Sequence, residues 1–161
     1  MKIEPASAED LPEILEIYRL ARDYMASHGN PSQWAGGYPS RQLVESDIRA
    51  GRCMLCREGH RILGVFTFFV GEDPTYATIY DGRWQNSAPY GVMHRVAVRV
   101  HGQGVASFCF QWCFQQCGNL RIDTHEDNIP MQHALLKNGF VRCGTIFLAD
   151  GQSRIAFQKI H

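Results

Sequence analysis

Long apolar runs are absent from this sequence. No stretch approaches the roughly 20 consecutive apolar residues that cross a bilayer. Residues 1–5 also lack the apolar core of a secretory signal. No membrane-spanning helix is therefore expected, and a cytoplasmic protein is. An excess of one charge is missing too, because 16 basic side chains balance 16 acidic ones. Such a chain offers no broad electrostatic footprint for nucleic acid, although a local basic patch could still hold one phosphorylated ligand. The six cysteines, with no secretory signal before them, read as reduced thiols. Cys53 and Cys56 form a C-x-x-C in a strand-like setting, with no second such pair. Cys109, Cys113 and Cys117 recur along one helical face, and Cys143 stands alone. All are read as small core residues, and no metal site is expected.

What the chain does have is enough apolar material for a core. At 161 residues, 45% hydrophobic and 20% charged, it fits one domain spanning 1–161. Hydrophobic periodicity predicts a strand over 2–5 and a helix N-capped by Ser7 that ends near residue 28. A loop over 31–40, a short helix over 41–50, and strands over 52–57 and 61–70 follow. Residues 71–89 make a long connection of a length usually functional or mobile. Beyond it come a strand over 90–98, a helix over 102–118, a strand over 120–124, and a helix over 129–138 closed by Gly139. Strands over 140–148 and 154–160 end the chain. The order β-α-α-β-β-β-α-β-α-β-β mixes hairpins with helix-joined neighbours, so an α/β (α+β) fold with a mixed sheet is expected. No internal repeat interrupts it.

The stretch from Met93 to Ser107 carries the chemistry. A buried strand enters a turn with Gly102 and Gly104, and an apolar helix leaves it. Such a junction points main-chain N–H groups at an anion from the positive end of a helix dipole. A Walker loop is ruled out, since no Lys-Ser or Lys-Thr follows the glycines. A dinucleotide turn fits Gly102 and Gly104 but not Ser107, even though Asp123 stands at about the ribose-binding distance of ~20 residues. A plain tight turn is the remaining reading from the residues alone.

The segment Arg99-Val100-His101-Gly102-Gln103-Gly104 matches [QR]-x-x-G-x-[GA]. Asp127-Asn128-Ile129-Pro130-Met131 and Asn138-Gly139-Phe140 add two further signposts downstream. Together with the element order, these resemble the GCN5-related N-acetyltransferase superfamily across the whole chain. That resemblance implies a mostly antiparallel central sheet with a splay between two parallel strands, and helices on both faces. It implies acetyl-CoA as acyl donor and an N-acetyltransferase acting on a primary amine of a small molecule or peptide, by direct transfer in a ternary complex. Gly102, Gln103, Gly104, Val105, Ala106 and Ser107 would bind the pyrophosphate, with His101 where Arg is common. Val96, Ala97 and Val98 would pair with the pantetheine arm, Asn128 would hold it from another side, and Lys137 would reach an outer phosphate.

His94 is the candidate general base, with His125 and Glu126 as second choices. Where many relatives carry a Tyr acid the chain has Leu135, which leaves Tyr90 and Cys143 as candidate donors. Trp34, Tyr38 and Trp84, with Tyr90, are expected to wall the acceptor amine through cation–π contact. A non-catalytic acyl-CoA-binding or sensing module stays open, and a nicotinamide-cofactor protein is a third reading. Neither nucleic acid nor membrane is an expected partner, and a homodimer stays open.

Overall fold

The computed structural model describes residues Met1–His161. Its strands are β1 (Lys2–Pro5), β2 (Cys53–Glu58), β3 (Arg61–Val70), β4 (Gly91–Val98), β5 (Asn119–Thr124), β6 (Val141–Phe147) and β7 (Ser153–Ile160). Its α-helices are α1 (Leu11–Ser27), α2 (Arg41–Arg49), α3 (Val105–Cys117) and α4 (Ile129–Lys137). The strands form one sheet in the order β1-β2-β3-β4-β5-β7-β6. The pairs β1–β2, β2–β3, β5–β7 and β6–β7 are antiparallel, and β4–β5 is parallel. The mixed, mostly antiparallel sheet expected from the sequence is therefore present. No helix is long and apolar enough to cross a membrane.

Two compact units divide the chain, Met1–Phe68 with His94–Cys109, and Phe69–Met93 with Phe110–His161. In the first unit, Leu11, Ile14, Ile17, Tyr18 and Ala21 of α1 pack with Val44 of α2, Cys53 and Leu55 of β2, and Ile62 and Val65 of β3. That stripe recurs at i, i+3, i+4 spacing, so α1 buries one face. Cys56 alternates to the other face of β2, where it is hydrogen-bonded to Cys109 of α3. Val105 of α3 approaches the same face, 3.0 Å from where a Cβ on Gly64 would stand. Helices thus cover both faces of this part of the sheet. Ser7 begins the α1 region as expected, but as part of a reciprocal cap with Asp10 around a 3-10 turn, its N–H donating to the Asp10 carboxylate at 2.8 Å. Ser40 caps α2, accepting from Leu43 N–H at 3.1 Å.

In the second unit, Tyr76, Tyr90, Val92, Ile146 and Ala156 form a core with Phe69, Ile79, Trp84 and Leu148 around it. The long connection before β4 is neither bare nor loose. Tyr80 bridges to Thr145 through two backbone bonds of 2.8 Å, and Arg83 N–H donates to Cys143 O at 2.9 Å. Gln85 N–H reaches Gln158 Oε1 at 2.7 Å. Gly82 is required there, because a Cβ would lie 1.9 Å from Cys143 O. Cys53, Cys56, Cys109, Cys113 and Cys143 are buried and Cys117 is half-buried, all free thiols. Burial pushes the Cys53 thiol up to about 12.

The sequence places the α3 start too early. Gly102 and Gly104 have φ of 78° and 75°, outside helical space, so the helix opens at Val105. Smaller shifts affect β4, which begins at Gly91, and β5, which begins at Asn119. The 31–40 loop contains a 3-10 turn over Ala35–Gly37.

Candidate functional site

The parallel β4–β5 ladder is short, with Gly91 opposite Leu120, Val92 opposite Arg121, and no further pair. β4 nevertheless continues to Val98, and on its other side Arg99 N–H donates to Leu63 O at 2.7 Å. Val96 and Ala97 are buried while His94 and Val98 are half-buried. Main-chain groups of β4 beyond Val92 therefore lie beside β3 and outside the β4–β5 ladder.

Next comes the loop into α3. Arg99 anchors its start, with Nε donating to Ile62 O at 2.8 Å and Nη2 to Glu13 at 2.9 Å. The motif arginine is thus held by β3 and α1. His101 stacks on Tyr24 of α1, centroids 3.7 Å apart and planes 14° apart, and the other face of Tyr24 carries His28 at 3.8 Å. Loss of water on the covered ring face, then the proximity of His28, lowers the His101 pKa below its ordinary value. The shift favours the neutral imidazole, which weakens the charge it could bring to the expected phosphate contact. Gly102, Gln103 and Gly104 are exposed, whereas Val105 is buried and Ala106 and Ser107 are half-buried. The first N–H groups of any α-helix lack an intrahelical acceptor; in α3, Phe108 N–H bonds back to Gly104 O at 3.0 Å.

The expected aromatic wall takes a different form. Trp34 is 8% exposed and belongs to the first unit's core, edge-on to Tyr18 at 5.6 Å. Only Tyr38 of that pair is exposed, and its hydroxyl accepts from Arg95 Nη1 at 3.1 Å. In the second unit Trp84 and Tyr90 do clamp a cation, but it is the chain's own Arg121, whose guanidinium carbon lies 4.1 Å and 3.9 Å from the two ring centroids. An acceptor amine is not needed to fill that box. Tyr90, proposed from sequence as an acid, is buried, and its hydroxyl accepts from Asp73 N–H at 3.0 Å. Burial raises the Cys143 thiol, with the Arg121 charge acting against that rise. Leu135 is fully buried. Asn128 caps α4, its Oδ1 accepting from Met131 N–H at 3.2 Å, and Lys137 is exposed in the last turn of that helix.

Sequence reasoning missed three groups, Arg121, Tyr76 and Arg95, although it had noted Asp123. Arg121 sits on the same face of β5 as Asp123, which accepts from the buried Tyr76 hydroxyl at 2.6 Å. Burial, then Asp123, raises the Tyr76 pKa well above its ordinary value, so it stays a donor. The signal was available, since two charges at i and i+2 interrupt an apolar strand. The third is Arg95, whose φ of 51° inside β4 no propensity announces.

No family model and no curated protein matches the chain. Among solved structures, the chain is similar to an acetyltransferase of the GNAT family from Streptococcus agalactiae. Identity is 31%, with 99% of this chain and 95% of that chain covered, at a TM-score of 0.91. It also resembles a GNAT-family acetyltransferase from Listeria monocytogenes, at 17% identity over 98% of this chain and 93% of that one, TM-score 0.70. A ribosomal-protein-alanine N-acetyltransferase from Brucella melitensis matches at 18% identity, 100% of both chains and a TM-score of 0.65. The last two speak to the fold alone.

Proposed function

The chain belongs to the GNAT acetyltransferase family, and from that premise we propose that it is a cytoplasmic, single-domain N-acetyltransferase. It would move the acetyl group of acetyl-CoA onto a primary amine of a small molecule or peptide, by direct transfer in a ternary complex. The observation that carries this reading is the early end of the β4–β5 ladder at Val92 and Arg121 on the strand that feeds the two-glycine loop before α3.

A diphosphate carrier fits that loop. Apart from the flanking residues, no heavy atom lies within 4 Å of where a Cβ would stand at Gly102 or Gly104. Main-chain N–H groups over 102–107 would hold the pyrophosphate, helped by the α3 dipole. The backbone of Val96, Ala97 and Val98 would pair with pantetheine amides in the manner of an added strand. Acetyl-CoA supplies a thioester carbonyl, and Val96 N–H would stabilise the negative charge that grows on its oxygen. His94 takes a proton from the amine. The amine nitrogen bonds to the carbonyl carbon as the carbon–sulfur bond breaks, and the electron pair leaves on sulfur. A thiol pKa of about 8.5 lets that sulfur depart without a dedicated acid, which suits a chain with Leu135 at the usual donor position.

Calorimetry with CoA and a thiol-release assay across amino acids, polyamines, aminoglycosides and peptides test the proposal. Heat on CoA binding and turnover with one amine class are expected, with H94A slowing turnover by about 10²- to 10⁴-fold. Folded protein giving no heat with CoA overturns it. The apolar burial of Leu135 favours one rival, an acyl-CoA sensor, which acetyl-CoA binding without turnover on any amine would select.

A further inference from the structure

Arg95 sits inside β4 with a φ of 51°, whereas strand residues lie near −120° to −140°. A side-chain-bearing residue in that region is costly and persists only where its surroundings over-determine it. Here they do. Both Asp47 oxygens accept from Arg95, Oδ2 from Nε and Oδ1 from Nη2, each at 2.9 Å. Thr67 Oγ1 donates to the same Asp47 Oδ2 at 2.9 Å. Tyr18 Oη donates to the Arg95 carbonyl at 2.9 Å, and Tyr38 Oη accepts from Nη1. Helices α1 and α2 and the loop between them thus converge on Arg95, with β3 bracing Asp47 through Thr67.

Neither turn-making nor stability accounts for this investment. Glycine would adopt the same φ without strain. A buried ion pair is often no better for stability than apolar packing of similar volume; Asp47 is 8% exposed and Tyr18 1%. What the arrangement does fix is one peptide plane. The Arg95 carbonyl and the Val96 N–H belong to the same planar, trans unit and point in opposite directions. A hydroxyl that pins the carbonyl therefore aims the N–H.

We infer that Tyr18 and Asp47 are positioning residues for acetyl transfer, holding the Arg95–Val96 peptide so that Val96 N–H faces the thioester oxygen. Tyr18 acts on the carbonyl directly, and Asp47 acts through the Arg95 side chain. The inference rests on the acetyl-CoA reading for what the N–H meets, but not for how the peptide is held.

The test uses Y18F, D47N and R95G in the full chain. Y18F and D47N should lower kcat for thiol release about 10- to 100-fold, below the 10²- to 10³-fold lost when an oxyanion donor is removed outright. KM for acetyl-CoA and the Kd for CoA should stay within about threefold of wild type, since the interaction strengthens only as charge develops. R95G relieves the backbone strain and removes the Asp47 clamp, so its kcat should fall at least as far as that of D47N. Unchanged kcat, or equal losses in kcat and CoA affinity, overturns the assignment. The Val96 amide resonance of the ligand-free protein gives a second readout. It should move in Y18F and D47N, and a resonance that stays put overturns the inference whatever the rates do. If wild type gives no heat with CoA, the acetyl-CoA reading fails, while this resonance still decides the clamp.

Discussion

At His101 the chain places an imidazole in the loop before α3 and then covers one ring face with Tyr24, whose opposite face carries His28. Sequence reading stops at the residue type, because the stacking partner lies far back along the chain on α1. The consequence is a pH dependence with a definite sign. The folded pKa lies below the ordinary value of about 6.5, so between the two the unfolded chain binds more protons than the folded one. Stability then falls as pH drops through about 6.5 and stops falling below the folded pKa. H101F keeps an aromatic ring in the stack and removes the titration. Comparing urea midpoints at pH 7.5 and pH 5, the acid-induced drop should be smaller in H101F than in wild type. Equal drops would mean that the stack does not hold His101 neutral.

Elements were far more legible than contacts. Strands β1 and β3 fall where alternation and β-branched residues put them, and Gly139 adopts the left-handed conformation expected after α4, with φ of 84°. These features are written locally, in periodicity and caps. The connection before β4 was not, because its order comes from Tyr80, Arg83 and Gln85 meeting β6 and β7, which follow in sequence. The same holds for the Trp84–Arg121–Tyr90 clamp, whose members come from the connection, its end and β5. The connection's order can be broken at one atom. At Gly82 a Cβ would meet Cys143 O at 1.9 Å and Cys143 C at 3.0 Å. Those are backbone atoms of a paired strand, so no rotamer can yield. G82A should destabilise by at least the ~1–3 kcal/mol typical of overpacking, read by urea denaturation, and limited proteolysis should newly cut within 71–90. Wild-type stability in G82A would show that the connection can lift without loss.

On the scale of the whole molecule, the fold was readable from element order and the glycine motif together, while the packing of Trp34 into a core and the hold of Trp84 and Tyr90 on Arg121 were not, because their partners lie far away in sequence. Acyl-donor binding remains the claim that a bulk property can check. A ligand that binds only the folded state stabilises it by about 2.7 kcal/mol at 100 times its Kd. For a chain of 161 residues each kcal/mol moves Tm by about 2–4 °C, so saturating CoA should raise Tm by about 5–11 °C. NAD at equal concentration should leave Tm unmoved, which separates acyl-carrier from nicotinamide binding. The loop can be isolated within the same measurement by G104V, since a β-branched residue resists the φ of 75° found there. That variant lowers its own Tm, so the ligand-induced shift is the quantity to compare, and it should shrink to less than half of wild type. A full shift in G104V would move the diphosphate grip away from the α3 entrance, even with CoA binding intact.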